Sequence, residues 1–293
     1  MKTVSGCIYM RIVTKIRMNN TPCAYLVDAS IYVFRAWFTW PDSHKNAQGE
    51  SVNAVKGFIH FVDELLEQEQ PEYIAFAFDE SLQNSHRKHI YPAYKANRAS
   101  APENLRYQFQ LCRRYVRALG MVEAASAQYE ADDLLASWAQ QAECFTVVSA
   151  DKDLAQLIGE QDHWYDYVRQ VILDRKGVFK KYGVYPEQIA DQLALAGDKA
   201  DNIPGVPGIG MATAAKLLRY FGSLEQLLES IDQVGKMKFR GAAKVQAYLQ
   251  EHKKMIPIYR QLTGLVTDVE GLERDLSRRS IHKAELKALM KEL

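Results

Sequence analysis

Three apolar runs rich in β-forming residues each stop at an aspartate: "AYLVD" at Asp28, "YIAFAFD" at Asp79 and "FTVVSAD" at Asp151. None alternates apolar with polar residues, which is the pattern of strands covered on both faces. Amphipathic helical stretches lie between them. In "VNAVKGFIHFVDELLEQ" the residues Val52, Val55, Phe58, Ile59, Val62, Leu65 and Leu66 form one stripe. This order predicts an α/β fold with a mostly parallel sheet flanked by helices. In such a sheet the carboxyl ends of the strands share one edge, and ligands bind outside it. Asp28, Asp79 and Asp151 are therefore expected to converge. One aspartate after a strand reads most simply as a helix N-cap; three at three strand ends strain that reading.

More carboxylates follow. "YEADDLL" opens a helix with Glu130, Asp132 and Asp133, where acids also suit the helix dipole. Asp153 follows Asp151, and "GDKADN" adds Asp198 and Asp201. Two unit charges about 4 Å apart repel by about 4 kcal/mol at an effective dielectric near 20. Several such pairs in one pocket need either protons or divalent cations. An oxygen-only set points to magnesium or manganese rather than zinc. The seven histidines support this: His86 and His89 lie near each other, but nothing has zinc-ligand spacing. Cys7, Cys23, Cys112 and Cys144 also lack such spacing and read as incidental thiols of a reducing cytosol.

The net charge of +1 hides segregation. Between Arg87 and Arg117 eight basic residues face only Glu103, a local balance of +7, and Lys236 to Lys254 carries +5. Either stretch alone could be a solvated helical face; together they suit a phosphate-backbone binder. No apolar run approaches the roughly 20 residues needed to span a membrane. The first 22 residues hold Lys2, Arg11, Lys15 and Arg17 and no acid, and "GCIYM" is too short for a signal-peptide centre. They read as a disordered extension, or as an over-long start with the true first residue at Met18.

"GVPGIGMA" nearly fits a phosphate loop, but Gly205 and Gly210 are followed by Met211 and Ala212, without the required lysine and hydroxyl. It reads instead as a hairpin between the helical stretches "PEQIADQLALAG" and "MATAAKLLRYFG". There Gly208 and Gly210 let backbone N–H groups approach a phosphate without reading bases.

Taken together, "YPAYKANR", "YEADDLL", "SADKDLAQLI" and "GDKADNIPGVPGIGMATAAKLL" resemble the 5′–3′ exonuclease and flap endonuclease family, in particular the amino-terminal nuclease domain of bacterial DNA polymerase I and its free-standing relatives. The resemblance spans roughly Ala24 to Asp268. No polymerase-like segment follows, so a stand-alone nuclease is expected. The resemblance implies a PIN-like catalytic domain over 21–182 with a helical arch near 82–105, a helix–three-turn–helix and C-terminal helical region over 183–293, and an extension at 1–20. It implies a first metal at Asp28, Asp79, Glu130 and Asp132, and a second at Asp151, Asp153 and Asp201, with Asp132 between them. Asp133 and Asp198 match outer acids. Lys95 and Arg98 match the cations of the arch, and Arg87, Tyr91 and Tyr94 stand with them as DNA contacts. The hairpin, with Gly205, Val206, Gly208, Ile209 and Gly210 followed by Lys216, matches the duplex-binding loop, where relatives hold potassium on backbone carbonyls. Two departures are Ala29 after the first aspartate and Asn97 in the arch, where glycine is frequent. They bear on arch flexibility, not on the ligands. The tail after Asp268 carries no motif, and "HKAELKALMKEL" reads as a surface helix.

The expected activity is two-metal hydrolysis of phosphodiesters, with two Mg²⁺ or Mn²⁺, by a structure-specific 5′ nuclease of replication or repair. The substrate would be DNA with a 5′ flap, gap or nick, with an RNA primer in a hybrid as a further substrate. The alternatives are a DNA-junction binder with little catalysis and a PIN-type ribonuclease. The expected setting is a cytoplasmic monomer without a membrane partner.

Overall fold

The computed structural model describes residues 23–80 and 85–293; the expectations for residues 1–20 and for a start at Met18 lie outside them. Six strands form one sheet: β1 (Ala24–Asp28), β2 (Tyr73–Asp79), β3 (Val122–Ser126), β4 (Phe145–Val148), β5 (His163–Asp166) and β6 (Val171–Leu173). Their spatial order is β3-β2-β1-β4-β5-β6, and only β6 runs antiparallel to its neighbour. Continuous burial of Leu26, Val27 and Ile74 to Phe78 matches the unbroken apolar runs of the central strands. β4 stops at Val148, so Asp151 stands past the strand on the turn beyond it. The pairing sets Asp28 beside Ala77 and Asp79 beside Ser126, which brings these chain ends to one rim.

Helices α1 (Ala29–Thr39), α2 (Asn53–Glu69) and α4 (Glu103–Ala118) cover one face. Phe58, Val62 and Leu65 of the expected stripe are fully buried there. Between β2 and α4 lies the short α3 (His86–Ile90). The other face carries α5 (Ala131–Ala139) and then the helical region: α6 (Arg175–Tyr182), α7 (Ile189–Ala196), α8 (Met211–Phe221), α9 (Leu224–Glu229), α10 (Ala242–His252) and α11 (Ile256–Thr263). One apolar cluster runs without a break from Leu26, Trp138 and Val147 through Leu193 and Leu217 to Leu249 and Leu262. The helical region is thus built onto the sheet's own core.

Two expectations change here. The C-terminal segment does not stay with the helical region. After α11 it crosses back, so that Glu273 O accepts from Trp138 Nε1, Arg279 N donates to Gly120 O and His282 N donates to Ala118 O. It ends in α12 (Lys283–Glu292), which packs Leu289 against the α1–α2–α4 side. Arg114 of α4 bonds Glu285 and Glu292. Cys23 and Cys144, moreover, are not incidental thiols: they form a disulfide, with Cα atoms 4.9 Å apart. β1 and β4 are neighbours with Ala24 opposite Phe145, so residues just before them meet at the amino-terminal edge of the sheet.

Candidate active site

The rim above the strands is assembled from short turns. Asp28 caps α1, and its Oδ2 accepts from Ser149 Oγ at 2.7 Å. Asp79 holds the first N–H of α5, from Ala131, at 2.9 Å, while its own N–H donates to Ser30 Oγ. Glu130 is the N-cap of α5. Asp132 lies in the first turn of that helix, and Asp151 and Asp153 follow β4. Asp198 and Asp201 come from the loop after α7, where Asp198 Oδ1 accepts the N–H groups of Ala200 and Asp201.

Crowding is visible in their proton affinities. Burial, reinforced by Asp79, pushes Asp28 up to about 7; burial, reinforced by Asp151, does the same for Asp153. Burial together with Asp151 and Asp28 holds Asp132 well above the usual carboxylate range. Asp79 is raised by burial and by Glu130, against the pull of Lys95. Asp198 goes the other way: burial opposes ionisation, but Lys152 brings it below its ordinary value. These acids act on one another in pairs: Asp79 and Asp151 on Asp28, Asp151 and Asp28 on Asp132, and Asp151 and Asp198 on Asp153.

Cations are threaded among the acids. Lys95 Nζ lies 2.6 Å from Glu130 Oε2 and 3.7 Å from Asp201 Oδ2. Arg98 bonds Asp201 Oδ1 at 2.7 Å. Lys152 Nζ sits 2.5 Å from Asp198 Oδ2 and 3.2 Å from Asp153 Oδ1. As the side chains stand, no three His, Cys, Asp or Glu residues among those described are grouped to hold a metal ion. Basic groups take oxygens of Glu130, Asp153, Asp198 and Asp201 instead. The donor chemistry nevertheless fits a hard divalent cation: every candidate ligand is a carboxylate oxygen, and Glu130 Oε1 is buried with no hydrogen-bond partner.

The turn segment from Ala93 to Arg98 and the Asp198–Ile203 loop are stitched together. Lys95 N–H donates to Asp201 O, Asn97 Nδ2 to Lys199 O, Arg98 Nε to Ala200 O and Asn202 Nδ2 to Ala93 O. Lys95 and Asn202 both take left-handed backbone, at φ 51° and 57°, a conformation that a non-glycine residue holds only when its surroundings impose it. Asn97, where a flexible glycine was the family expectation, is one of the stitches.

Several expected site residues lie elsewhere. Asp133 is fully buried behind the rim, where both its oxygens are taken by Arg87, each at 2.7 Å. Its oxygens are turned to Arg87 and to the N–H groups of Glu130 and Val266. Arg87 is only 2% exposed and is no surface contact for DNA. Tyr94 is equally enclosed, its hydroxyl on Glu130 and Asp201, so its ring offers no face to a base. Tyr91 is half-buried and packs edge-on against Tyr259. The basic stretch from Arg87 to Arg117 is largely neutralised: Arg87, Lys95, Arg98, Arg113, Arg114 and Arg117 are each paired with carboxylates.

In the hairpin, Gly205 backs onto Gly197, where a Cβ would stand 2.3 Å from Gly197 N, and Val206 and Ile209 are buried. These three therefore shape the loop from inside. Gly208 and Gly210 are exposed at the uncapped start of α8, with nothing near a Cβ at Gly210, and Lys216 is exposed one turn on. Lys152, Ser149 and Asn202 were missed in the sequence. Only Lys152, between two aspartates, gave a local signal.

The sequence matches the family model described as "5′–3′ exonuclease, N-terminal resolvase-like domain" over residues 23–183, and that described as "5′–3′ exonuclease, C-terminal SAM fold" over 184–287. A 5′–3′ exonuclease of Aquifex aeolicus is 31% identical over 282 residues, covering 92% of this chain and 94% of the relative. DNA polymerase I of Rhizobium leguminosarum is 37% identical over 89% of this chain, which spans only 26% of that protein's length. Among solved structures, the T5 D15 protein co-crystallised with metal ions superposes with a TM-score of 0.67 at 20% identity, covering 83% of this chain and 90% of that one. The catalytic core of Rad2 in complex with DNA substrate superposes at 0.61 and 14% identity, over 93% and 88%.

Proposed function

The chain belongs to the 5′–3′ exonuclease family and is a nuclease; from that premise we propose that it is a structure-specific 5′ nuclease cutting DNA at flaps, gaps or nicks in replication or repair, with two divalent metal ions. The observation that carries this reading is the convergence of Asp28, Asp79, Glu130, Asp132, Asp151, Asp153 and Asp201 on one rim, with Lys95 and Arg98 already among them.

Asp28, Asp79, Glu130 and Asp132 would hold one ion, and Asp132, Asp151, Asp153 and Asp201 the other. Asp198, paired with Lys152, supports the second group from outside. Bound there, Mg²⁺ or Mn²⁺ supplies activated water and charge stabilisation for an in-line displacement at phosphorus. Lys95 Nζ and the Arg98 guanidinium, bonded here to Glu130 and Asp201, would offer their positive charge to the scissile phosphate once those carboxylates turn to a metal ion. The stitched loop and the left-handed backbone of Lys95 keep the ammonium at that spot. Exposed backbone at Gly208 and Gly210 suits a duplex phosphate at the start of α8, and Lys216 adds charge one turn later. Potassium on the hairpin carbonyls is part of the same reading. A cytoplasmic monomer remains the proposed setting, against which the Cys23–Cys144 disulfide counts; separately, no helix among the described residues is long and apolar enough to cross a membrane.

A 5′-labelled DNA flap incubated with Mg²⁺, then with EDTA, tests the reading on a sizing gel. Short labelled products that form with Mg²⁺ and cease with chelator are expected. Retention of the flap by the protein without cleavage in Mg²⁺ or Mn²⁺ would overturn it.

A further inference from the structure

Resting on the nuclease reading, we propose that Arg87 and Asp133 form a positioning unit for Glu130 that touches neither DNA nor metal. The pair is sealed: Arg87 is 2% and Asp133 0% exposed. The guanidinium meets the carboxylate as a two-pronged fork, Nη1 to Oδ2 and Nη2 to Oδ1, each at 2.7 Å. Its remaining bonds go to backbone, Nε to Leu262 O at 3.0 Å and Nη2 to Gly264 O at 2.7 Å. Asp133 also accepts the N–H of Glu130 at 3.1 Å and of Val266 at 2.9 Å.

Three parts of the chain meet at this single pair. Arg87 stands in the short helix α3. Asp133 opens α5 and fixes the backbone of Glu130. Leu262, Gly264 and Val266 are the exit of the last helix of the helical region. Arg87 Nη1 further lies 3.9 Å from Glu130 Oε2, so the guanidinium biases the carboxylate that Lys95 holds from the other side. A buried pair of this kind is costly to break, because the remaining charge is stranded. Its planar fork cannot be reproduced by an ammonium. Partners that orient a ligand residue from behind affect activity and metal affinity without themselves meeting the substrate.

The test uses the full chain with Arg87→Lys and Asp133→Asn. Five quantities are read: the thermal midpoint, kcat and KM on a labelled flap in Mg²⁺, the Kd for the same flap in EDTA, and Mn²⁺ binding by electron paramagnetic resonance. Arg87→Lys is expected to stay folded, to lose about 10–100-fold in kcat and in Mn²⁺ affinity, and to keep its flap Kd in EDTA within about threefold. A flap Kd that weakens in step with kcat/KM would make Arg87 a DNA contact and overturn the proposal. So would folded variants with kcat and Mn²⁺ affinity unchanged, or loss of one Mn²⁺ equivalent in Asp133→Asn alone. If Arg87→Lys does not fold, Asp133→Asn, which keeps the side chain's shape, decides by the same readouts. A wild-type chain that does not cleave would remove the nuclease reading, and Mn²⁺ affinity would still decide whether the pair positions Glu130.

Discussion

The two edges of the sheet are opposites. At the carboxyl edge, burial and crowding raise Asp28 and Asp153 to about 7, Lys95 takes left-handed backbone and a Glu130 oxygen lacks a partner. At the amino edge, Cys23 is covalently joined to Cys144, and the returning tail lays backbone bonds beside the strands. The same strands run between the two. Unfavourable contacts are tolerated at one end because the other end and the shared core over-determine the fold.

The largest effect that could break this contrast is at the acid edge. Asp153→Asn is expected to lower kcat on a labelled flap by on the order of 10²–10³-fold, while flap binding in EDTA stays measurable; unchanged turnover would remove Asp153 from the chemistry. The opposite edge should respond in stability alone. Replacing Cys23 and Cys144 by serine opens a link between residues 121 apart and is expected to cost roughly 4 kcal/mol in urea unfolding, with kcat unaltered. A kcat that falls in the folded double variant would show that the two edges are not independent.

A smaller effect sharpens the comparison through pH. Asp28 and Asp153 have folded values of about 7, above the roughly 3.9 of an unfolded aspartate. Between those values the folded chain binds more protons, so stability falls as pH rises. In EDTA the contribution is full below about pH 4 and is lost as pH passes about 7. Melting midpoints should therefore drop between pH 5.5 and 8.5 and recover at pH 8.5 with Mg²⁺, whereas a flat profile would mean that burial and neighbouring acids do not raise these two carboxyls. The smallest effect concerns one stitch. Asn97→Gly removes the bond to Lys199 O and is expected to cost about 1 kcal/mol, with flap kcat changed by less than about threefold; a larger loss would make that stitch decisive for Lys95.

What the sequence made legible was whatever repeats locally. Strands that stop at Asp28 and Asp79 and the stripe through Phe58 and Leu65 are periodic signals, and the sheet rules turned them into a rim. Asp132 and Asp133 show where such reading stops. Neighbours on a helix point about 100° apart, so one joins the rim and the other turns inward to Arg87, a partner 46 residues away. The disulfide, the stitches across Lys95 and Asp201, and the pairing of Arg114 with Glu285 and Glu292 share a cause. Each joins residues remote in sequence, and residue type alone does not tell a phosphate-facing arginine from one enclosed by a carboxylate. β6, with only three residues, is too short for a pattern to emerge.

The unbroken apolar body from Leu26 to Leu249 has one further consequence. Among the described residues one apolar cluster joins the sheet beneath the acid rim to α8, which opposes drift between those two stations. On the proposed reading, a double helix seated on one would meet the other at a set offset, so the place of incision would be fixed by a gauge in the protein rather than found by search.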